Sequence, residues 1–227
     1  MDISEELDVI DKIESRRKPR ENVWAPQLDE LQLLCQPTTP AAASTGGVIF
    51  VGYNWGGPSP QDPFHSWKRP SSSELTVQRK PIWNPAATYD CRAGYVTGVF
   101  DKTDSKHARE NHSKAINRLV YRAECLLWPS NKMKALDVIK GEEPDIWELM
   151  KSVSLSILKK KLLLSKPTTL VAAGRETQKI LRNVTSGVQV IDCYNLGRML
   201  GCFVKHENGQ NIHGYLQSLR DRAVGPR

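Results

Sequence analysis

One stretch near the start of the chain limits its possible folds more than any other. Residues 48–51 are apolar and mostly β-branched, and they run directly into Gly52-Tyr53-Asn54-Trp55-Gly56. A continuous apolar run that ends at a glycine is typical of a strand buried on both faces of a parallel sheet. In open α/β folds, ligands bind at the carboxyl ends of such strands. The stretch therefore predicts an α/β fold with a binding site just after Gly52.

The same alternation of apolar runs and amphipathic segments continues along the chain. It predicts an α/β fold of the three-layer α/β/α sandwich type, with a mostly parallel four-stranded sheet. A further apolar segment at 188–193 is short and is not counted as a strand. The predicted strands are 47–52, 125–128, 168–174 and 199–204, and the predicted helices are about 2–16, 102–122, 145–164, 176–182 and 212–222.

Two regions divide the chain by composition. Residues 1–45 are predicted to form N-terminal helices and a proline-broken linker that pack on the body, and residues 46–227 are predicted to form the α/β body itself. Within the body, residues 56–96 hold six prolines and two tryptophans, Trp67 and Trp83, in an irregular pattern. Because tryptophans argue against disorder, we expect an ordered flap beside the site.

Charge and cysteine usage indicate the class of partner and the compartment. The chain has 32 Lys and Arg against 25 Asp and Glu, a net charge of +7, which favours a polyanionic partner. Its five cysteines are odd in number and form no C-x-x-C pair, so neither a disulfide framework nor a zinc ribbon is indicated. With no signal-like start and no long apolar run, we expect an intracellular protein without a membrane partner, cytoplasmic or, in a eukaryote, nuclear.

Polar residues follow three of the predicted strands. Asn54 follows the first strand, Asn131 the second, and His206 the last. Because the carboxyl ends of parallel strands lie at one edge of a sheet, we expect these three side chains to converge.

These motifs, in their order, resemble the uracil-DNA glycosylase superfamily. The first is similar to the catalytic motif of its mismatch-specific and single-strand-selective branches, in which a strand runs into Gly-x-Asn-Pro-Gly. Two positions depart from the family, since Trp55 and Glu207 stand where it has proline. The absence of a four-cysteine set argues against the iron–sulfur branches. The resemblance lies in residues 48–56, 166–175 with Ile180 and Leu181, and 202–208.

The resemblance implies roles for particular residues. Asn54 would hold the attacking water, and His206 would donate to the pyrimidine O2 and stabilise the departing base. Asn131 would recognise the Watson–Crick edge of the base. The flipped base would stack on an aromatic ring, with Tyr53 nearest to the motif and Phe64 and Trp55 as the other base contacts.

DNA contacts are assigned on the same basis. Four cations are expected to hold phosphates, and Gln210 is expected to enter the space that the flipped base leaves. No cofactor and no metal are needed for this chemistry, and we expect a monomer. The four cations are Lys68, Arg69, Arg175 and Lys205.

A second motif supplies a rival catalytic residue. Residues 60–65, Pro-Gln-Asp-Pro-Phe-His, resemble the Gly-Gln-Asp-Pro-Tyr-His motif of the commonest uracil glycosylases, which would make Asp62 catalytic. In that family the motif directly follows the strand, whereas here it lies further downstream. Asn54 is therefore preferred, with Asp62 as the alternative.

The sequence thus favours a monofunctional DNA glycosylase that acts on uracil or a modified pyrimidine and leaves an abasic site. The long flap and the two departures suggest a bulkier base, such as the glucosylated hydroxymethylcytosine of phage DNA. One alternative is a noncatalytic nucleic-acid-binding relative of the same fold. Another is a nucleotide- or nucleoside-processing enzyme, although no P-loop lysine follows Gly52.

Overall fold

Four strands form a single parallel sheet. The computed structural model describes residues 1–20, 22–26, 31, 34–35, 47–54, 66–76, 88–104, 106, 110, 122–130, 133–194, 196 and 212–225. Its strands are β1 (Val48–Asn54), β2 (Arg122–Leu126), β3 (Thr169–Ala173) and β4 (Gln189–Cys193), in the order β2-β1-β3-β4. The predicted α/β class with a four-stranded parallel sheet is confirmed.

Register places β1 and β3 side by side over their buried residues. Val48 pairs with Thr169 and Val51 with Ala172, and β3 continues the parallel ladder to β4, from Thr169 with Gln189 to Ala173 with Cys193. Every residue of β3 is buried, as its apolar sequence predicts.

The fourth strand is not the one that the sequence predicted. β4 comes from the short segment that was not counted as a strand, whereas residues 199–204 lie outside the described residues. Only Ile191 and Cys193 of β4 are buried, so its apolar pattern is weak. β2 likewise begins earlier than predicted, at the buried polar residues Arg122 and Glu124.

Most of the predicted helices are confirmed within a few residues. The predicted helix at 102–122 has wrong bounds, since residues 101–104 form bends and Arg122 begins β2. Helices α2 and α3 lie in the region expected to be irregular, and α4 was not predicted. The helices of the described part are α1 (Ser4–Arg16), α2 (Ser72–Thr76), α3 (Thr88–Val96), α4 (Met133–Glu142), α5 (Pro144–Ser165), α6 (Arg175–Val184) and α7 (Ile212–Val224).

The chain separates into two compact units. The first comprises Met1–Pro37, Tyr53–Arg79 and Glu124–Leu164, and the second comprises Thr38–Gly52, Lys80–Ala123 and Ser165–Arg227. In the first unit, the predicted apolar stripe of α1 is buried in a cluster with residues of α4 and α5. The N-cap position is Ile3, without a side-chain cap, and Asp2 just before it accepts hydrogen bonds at Oδ1 from the backbone N–H and the hydroxyl of Ser4.

A buried arginine holds the second unit together around α7. Arg220 donates to the backbone carbonyls of Tyr95 and Phe100, at 2.6 Å each, and its guanidinium lies 4.7 Å from the centre of the Tyr95 ring. The chain turns sharply between these two carbonyls, and a side chain at Gly94 would place its Cβ 2.3 Å from the Phe100 ring. α7 buries Leu216 and Leu219, as its periodicity predicts.

Candidate functional site

Asn54 is the last residue of β1, which runs two residues beyond the predicted strand end at Gly52. Its side-chain nitrogen Nδ2 is buried and has no hydrogen-bond partner among the described residues. A buried donor without an acceptor costs about 1–3 kcal/mol of stability. Groups of this kind are rare in folded proteins, and a functional role is one of the explanations for them. The side chain is therefore well suited to bind a ligand oxygen.

The sequence of β1 explains this placement. Val48–Val51 and Gly52 are buried in the strand, whereas Tyr53 and Asn54 are only partly buried. Tyr53 packs against the hydrophobic cluster of the first unit. Part of the Tyr53 side chain is thus used for packing, and only the remainder could contact a flipped base.

The end of β3 offers a positively polarised helix terminus. Gly174 joins β3 to α6 with a φ of 87°, a backbone conformation that favours glycine. No side chain caps α6, so the first N–H groups of the helix are left for another acceptor. Arg175, a predicted phosphate contact, is exposed as the first residue of this helix. Backbone N–H groups, the helix dipole and Arg175 together make this terminus suitable for an anion.

Thr177 is a polar residue of this helix start that the sequence did not single out. It is 1% exposed, and its Oγ1 has no hydrogen-bond partner among the described residues. A threonine in the first turn of a helix after a strand and a glycine is the signal that could have identified it. Glu176, beside it, is exposed and paired with Lys179 at 2.9 Å.

Arg69 and Lys68 differ in their availability to a phosphate. Arg69 donates to Asp8 at 2.6 Å and to Asp11 at 2.7 Å, and these hydrogen bonds raise its pKa. Its guanidinium is already held by two carboxylates, so a phosphate would have to compete with both. Lys68 is exposed as well, but no ion pair joins it to a carboxylate of the described residues.

A basic segment near the N-terminus, residues 16–20, also forms ion pairs within the protein. Arg17 binds both oxygens of Glu14, at 2.9 and 3.0 Å. Arg20 binds Glu142 at 2.8 Å and Glu143 at 2.6 Å. Only Arg16 and Lys18 of these cations are exposed, which leaves a small basic surface here.

Seven predicted site residues lie outside the described residues. They include Asp62, so the preference for Asn54 over Asp62 as the catalytic residue stays a prediction. They also include His206, so its proximity to Asn54 stays a prediction as well. The other five are Trp55, Phe64, Asn131, Lys205 and Gln210.

Other kinds of site were sought in the same part of the chain. No group of three or more His, Cys, Asp or Glu side chains that could hold a metal ion occurs among the described residues. Cys35, Cys91, Cys125 and Cys193 are free thiols, and burial raises the pKa of Cys193. None of the described helices combines the length and the apolar character that a membrane span requires.

Comparison with known proteins leaves the motif residues as the basis for a family assignment. No protein-family model matches the chain, and no curated protein sequence matches it. The described residues form a parallel sheet in which the Nδ2 of Asn54, at the end of β1, is buried without a described partner. The helix after β3, α6, is not capped by any described side chain. Chemically, these features can supply a hydrogen bond to a neutral oxygen and a seat for an anion.

Proposed function

We propose that this protein is a monofunctional DNA glycosylase that hydrolyses the N-glycosidic bond of a flipped-out uracil or modified pyrimidine and leaves an abasic site. The observation that carries the proposal is the side-chain amide of Asn54 at the end of a parallel strand, whose Nδ2 is buried and has no partner among the described residues. This residue is also the asparagine of the motif that resembles the superfamily.

The reaction needs few groups from the protein. The bond between C1′ of the deoxyribose and the base nitrogen breaks, and its electron pair leaves with the base. A water oxygen forms a new bond to C1′, and the proton that this water loses ends on the released base. Asn54 would orient that water without acting as a strong base, and His206 would donate a hydrogen bond to the developing charge on the pyrimidine O2. A neutral imidazole is sufficient for this donation. No cofactor takes part in the proposed reaction.

DNA binding is supported by charge and by the start of α6. The chain carries a net charge of +7, and the exposed Arg175 stands at a helix terminus that favours anions. Lys68 is exposed as a further contact. Because Arg69 is held by Asp8 and Asp11, we assign it a smaller share of phosphate binding than Arg175 or Lys68.

The excised base is the finer part of the proposal. Trp55 replaces the proline that follows the catalytic asparagine in the family, and Glu207 replaces the proline of His-Pro-Ser. By the resemblance, both substitutions fall in loops that would line the base pocket. A pyrimidine larger than uracil, such as glucosylated hydroxymethylcytosine, is therefore included as a substrate.

A base-release assay tests the function directly. The protein is incubated with single- and double-stranded DNA containing uracil, and with phage DNA containing glucosylated hydroxymethylcytosine, and abasic sites are detected by alkaline strand cleavage. We expect cleavage of one substrate and a loss of about 100-fold or more in Asn54→Ala and His206→Ala. Asn183→Ala, which alters an exposed asparagine of α6, is the matched control and should keep full activity.

Three other outcomes of these assays would change or overturn the proposal. Loss of activity in Asp62→Ala together with retention in Asn54→Ala would transfer the water-holding role to Asp62. Salt-sensitive DNA binding without cleavage of any substrate, unchanged in Asn54→Ala, would indicate a noncatalytic DNA-binding protein. Absence of both cleavage and binding would overturn the proposal.

A further inference from the structure

Helix α1 holds two segments that adjoin candidate site residues, and it does so through carboxylates. Asp8, Asp11 and Glu14 follow one another at three-residue spacing, which places them along one side of the helix. Each accepts a hydrogen bond from a residue far away in the chain. The apolar residues of α1 already pack in the core, so these polar contacts are not needed to bury the helix. They instead fix the orientation of the segments that donate to them.

Glu14 fixes the segment after β2. Its Oε1 accepts a hydrogen bond from the indole N–H of Trp128 at 2.7 Å, across 114 residues of sequence. Trp128 is 0% exposed and the Glu14 side chain 10% exposed, so the bond is partly shielded from water, which strengthens it. Arg17 binds both oxygens of Glu14 and thereby sets the orientation of the carboxylate.

Three further contacts hold the same segment, residues 127–130. The N–H of Leu127 donates to Ser154 Oγ at 3.1 Å. The carbonyl of Pro129 accepts from the N–H of Trp24 at 3.1 Å, and Ser130 forms an antiparallel bridge with Val23. The chain passes directly from Ser130 into Asn131, the proposed recognition residue.

Asp11 fixes a second segment in the same way. Its Oδ1 accepts the indole N–H of Trp67 at 2.6 Å, and its Oδ2 accepts from Arg69 at 2.7 Å. Arg69 also donates to Asp8. Trp67 comes only two residues after His65, the end of the motif that contains Asp62.

We propose that Glu14 and Asp11 are positioning residues for the glycosylase reaction, because they hold in place the segments that lead to Asn131 and away from Asp62. This inference rests on the proposed function. Glu14 and Asp11 touch neither substrate nor reacting atoms in this scheme. They act through Trp128 and Trp67, whose indole N–H groups each have a single direction for a hydrogen bond.

The same helix offers a matched control. Glu6 is buried at the amino-terminal half of α1 and accepts from Ser156 and Lys160, at 2.6 Å each. Its partners belong to α5 and adjoin no candidate site residue. Glu6→Ala therefore removes a buried carboxylate of α1 without loosening either segment.

Steady-state cleavage of the preferred DNA substrate by Glu14→Ala, Glu14→Gln and Glu6→Ala is the first test. We expect Glu14→Ala to lower kcat by about 10–100-fold with KM changed by less than about threefold, since small displacements of a positioned group have effects of this size. Glu14→Gln keeps an oxygen acceptor for Trp128 and should regain most of kcat. Glu6→Ala should keep kcat within about twofold, and equal losses of kcat in Glu14→Ala and Glu6→Ala overturn the inference.

Native-state hydrogen exchange of residues 127–130 separates failure of this inference from failure of the proposed function. In Glu14→Ala the Leu127 amide should exchange about tenfold faster or more, and in Glu6→Ala it should not. If the wild-type protein cleaves no substrate, the proposed function fails, while this exchange pattern still supports the holding role of Glu14. Unchanged protection in Glu14→Ala overturns that role, whatever the activity. Asp11→Ala with residues 66–70 as the reporter repeats the test for the second segment.

Discussion

Two buried polar side chains stand in opposite situations in this protein. Arg220 of α7 is 3% exposed and donates to the carbonyls of Tyr95 and Phe100 while it stacks on the Tyr95 ring. Asn54, at the end of β1, has its Nδ2 removed from solvent without any described acceptor. Both donors lose hydration on folding, but the Nη1 of Arg220 regains hydrogen bonds to two carbonyls, whereas the Nδ2 of Asn54 has no acceptor among the described residues.

The difference separates a structural role from a candidate functional one. A buried donor that is paired contributes to stability, and removing it leaves its acceptors unpaired as well. A buried donor without a partner lowers stability, so its presence calls for a ligand or a reaction that uses it. Substitution of Arg220 should therefore lower stability, whereas substitution of Asn54 should change it little.

The largest effect is expected for Arg220→Met. Methionine fills much of the volume but leaves two buried carbonyls without their donor, so we expect a loss of about 3 kcal/mol in the free energy of unfolding. Urea denaturation followed by far-UV circular dichroism measures it. Arg222→Met, at an exposed position of the same helix, is the control. Equal stability of the two variants would contradict the structural role of Arg220.

Lys161→Met tests a buried cation whose own ionisation is disfavoured. Lys161 is 1% exposed, and burial lowers its pKa to about 7. In the unfolded chain its pKa is about 10.4, so between about pH 7 and 10 the unfolded state binds the extra proton and stability rises with pH. The penalty is complete below pH 7 and vanishes above pH 10.

We therefore expect Lys161→Met to gain about 2 kcal/mol at pH 6–7, with the advantage shrinking towards pH 10. Urea titrations at several pH values give the difference between the variant and the wild type. Lys159→Met, at an exposed neighbouring position, should show no such trend. An advantage that is independent of pH would show that a charged Lys161 is not the cause.

Asn54→Ala should change stability little while it abolishes cleavage. The substitution removes a buried donor without an acceptor, so we expect a free energy of unfolding within about 1 kcal/mol of the wild type or above it. Thermal denaturation compared with Asn183→Ala provides the measurement. A loss of 2 kcal/mol or more would mean that Asn54 holds the fold, and its contrast with Arg220 would disappear.

The smallest effect is expected for Arg69→Ala. Its side chain is 43% exposed, and exposed ion pairs contribute little to stability even when they are well aligned. We expect a small decrease in the urea midpoint at low ionic strength that becomes smaller still in 0.5 M salt. If the decrease matches that of Arg220→Met, Arg69 is a structural cation like Arg220.

Local pattern was sufficient for the elements with a strong apolar period. β1 and β3 were recognised as apolar runs ending in glycine, and α1 and α5 by their stripes. β4 was missed because only Ile191 and Cys193 of this strand are buried, and β2 was shortened because its first residues include Arg122 and Glu124. Polar residues that are buried in a strand look like loop residues in the sequence, since burial depends on what packs above them.

The candidate site divides along the same line. The sequence predicted that Asn54 lies close to the carboxyl end of the first strand, and β1 ends at this residue, two residues beyond the predicted end at Gly52. The sequence does not predict the pairing of Arg69 with Asp8 and Asp11. A phosphate would have to compete with these two carboxylates for Arg69. The bonds of Glu14 to Trp128 and of Asp11 to Trp67 join residues 114 and 56 positions apart, and no local signal points to them.

By itself, the sequence determined the α/β class, the central strands and the asparagine at the end of β1, because these depend on the order of apolar and polar residues over short stretches. Only the tertiary structure decided which charges are paired and which donors are left buried without an acceptor. Pairing and burial depend on the distance between side chains that are remote in sequence. For this reason only the structure shows that Arg69 is paired with two carboxylates and that the Nδ2 of Asn54 is buried without a described acceptor.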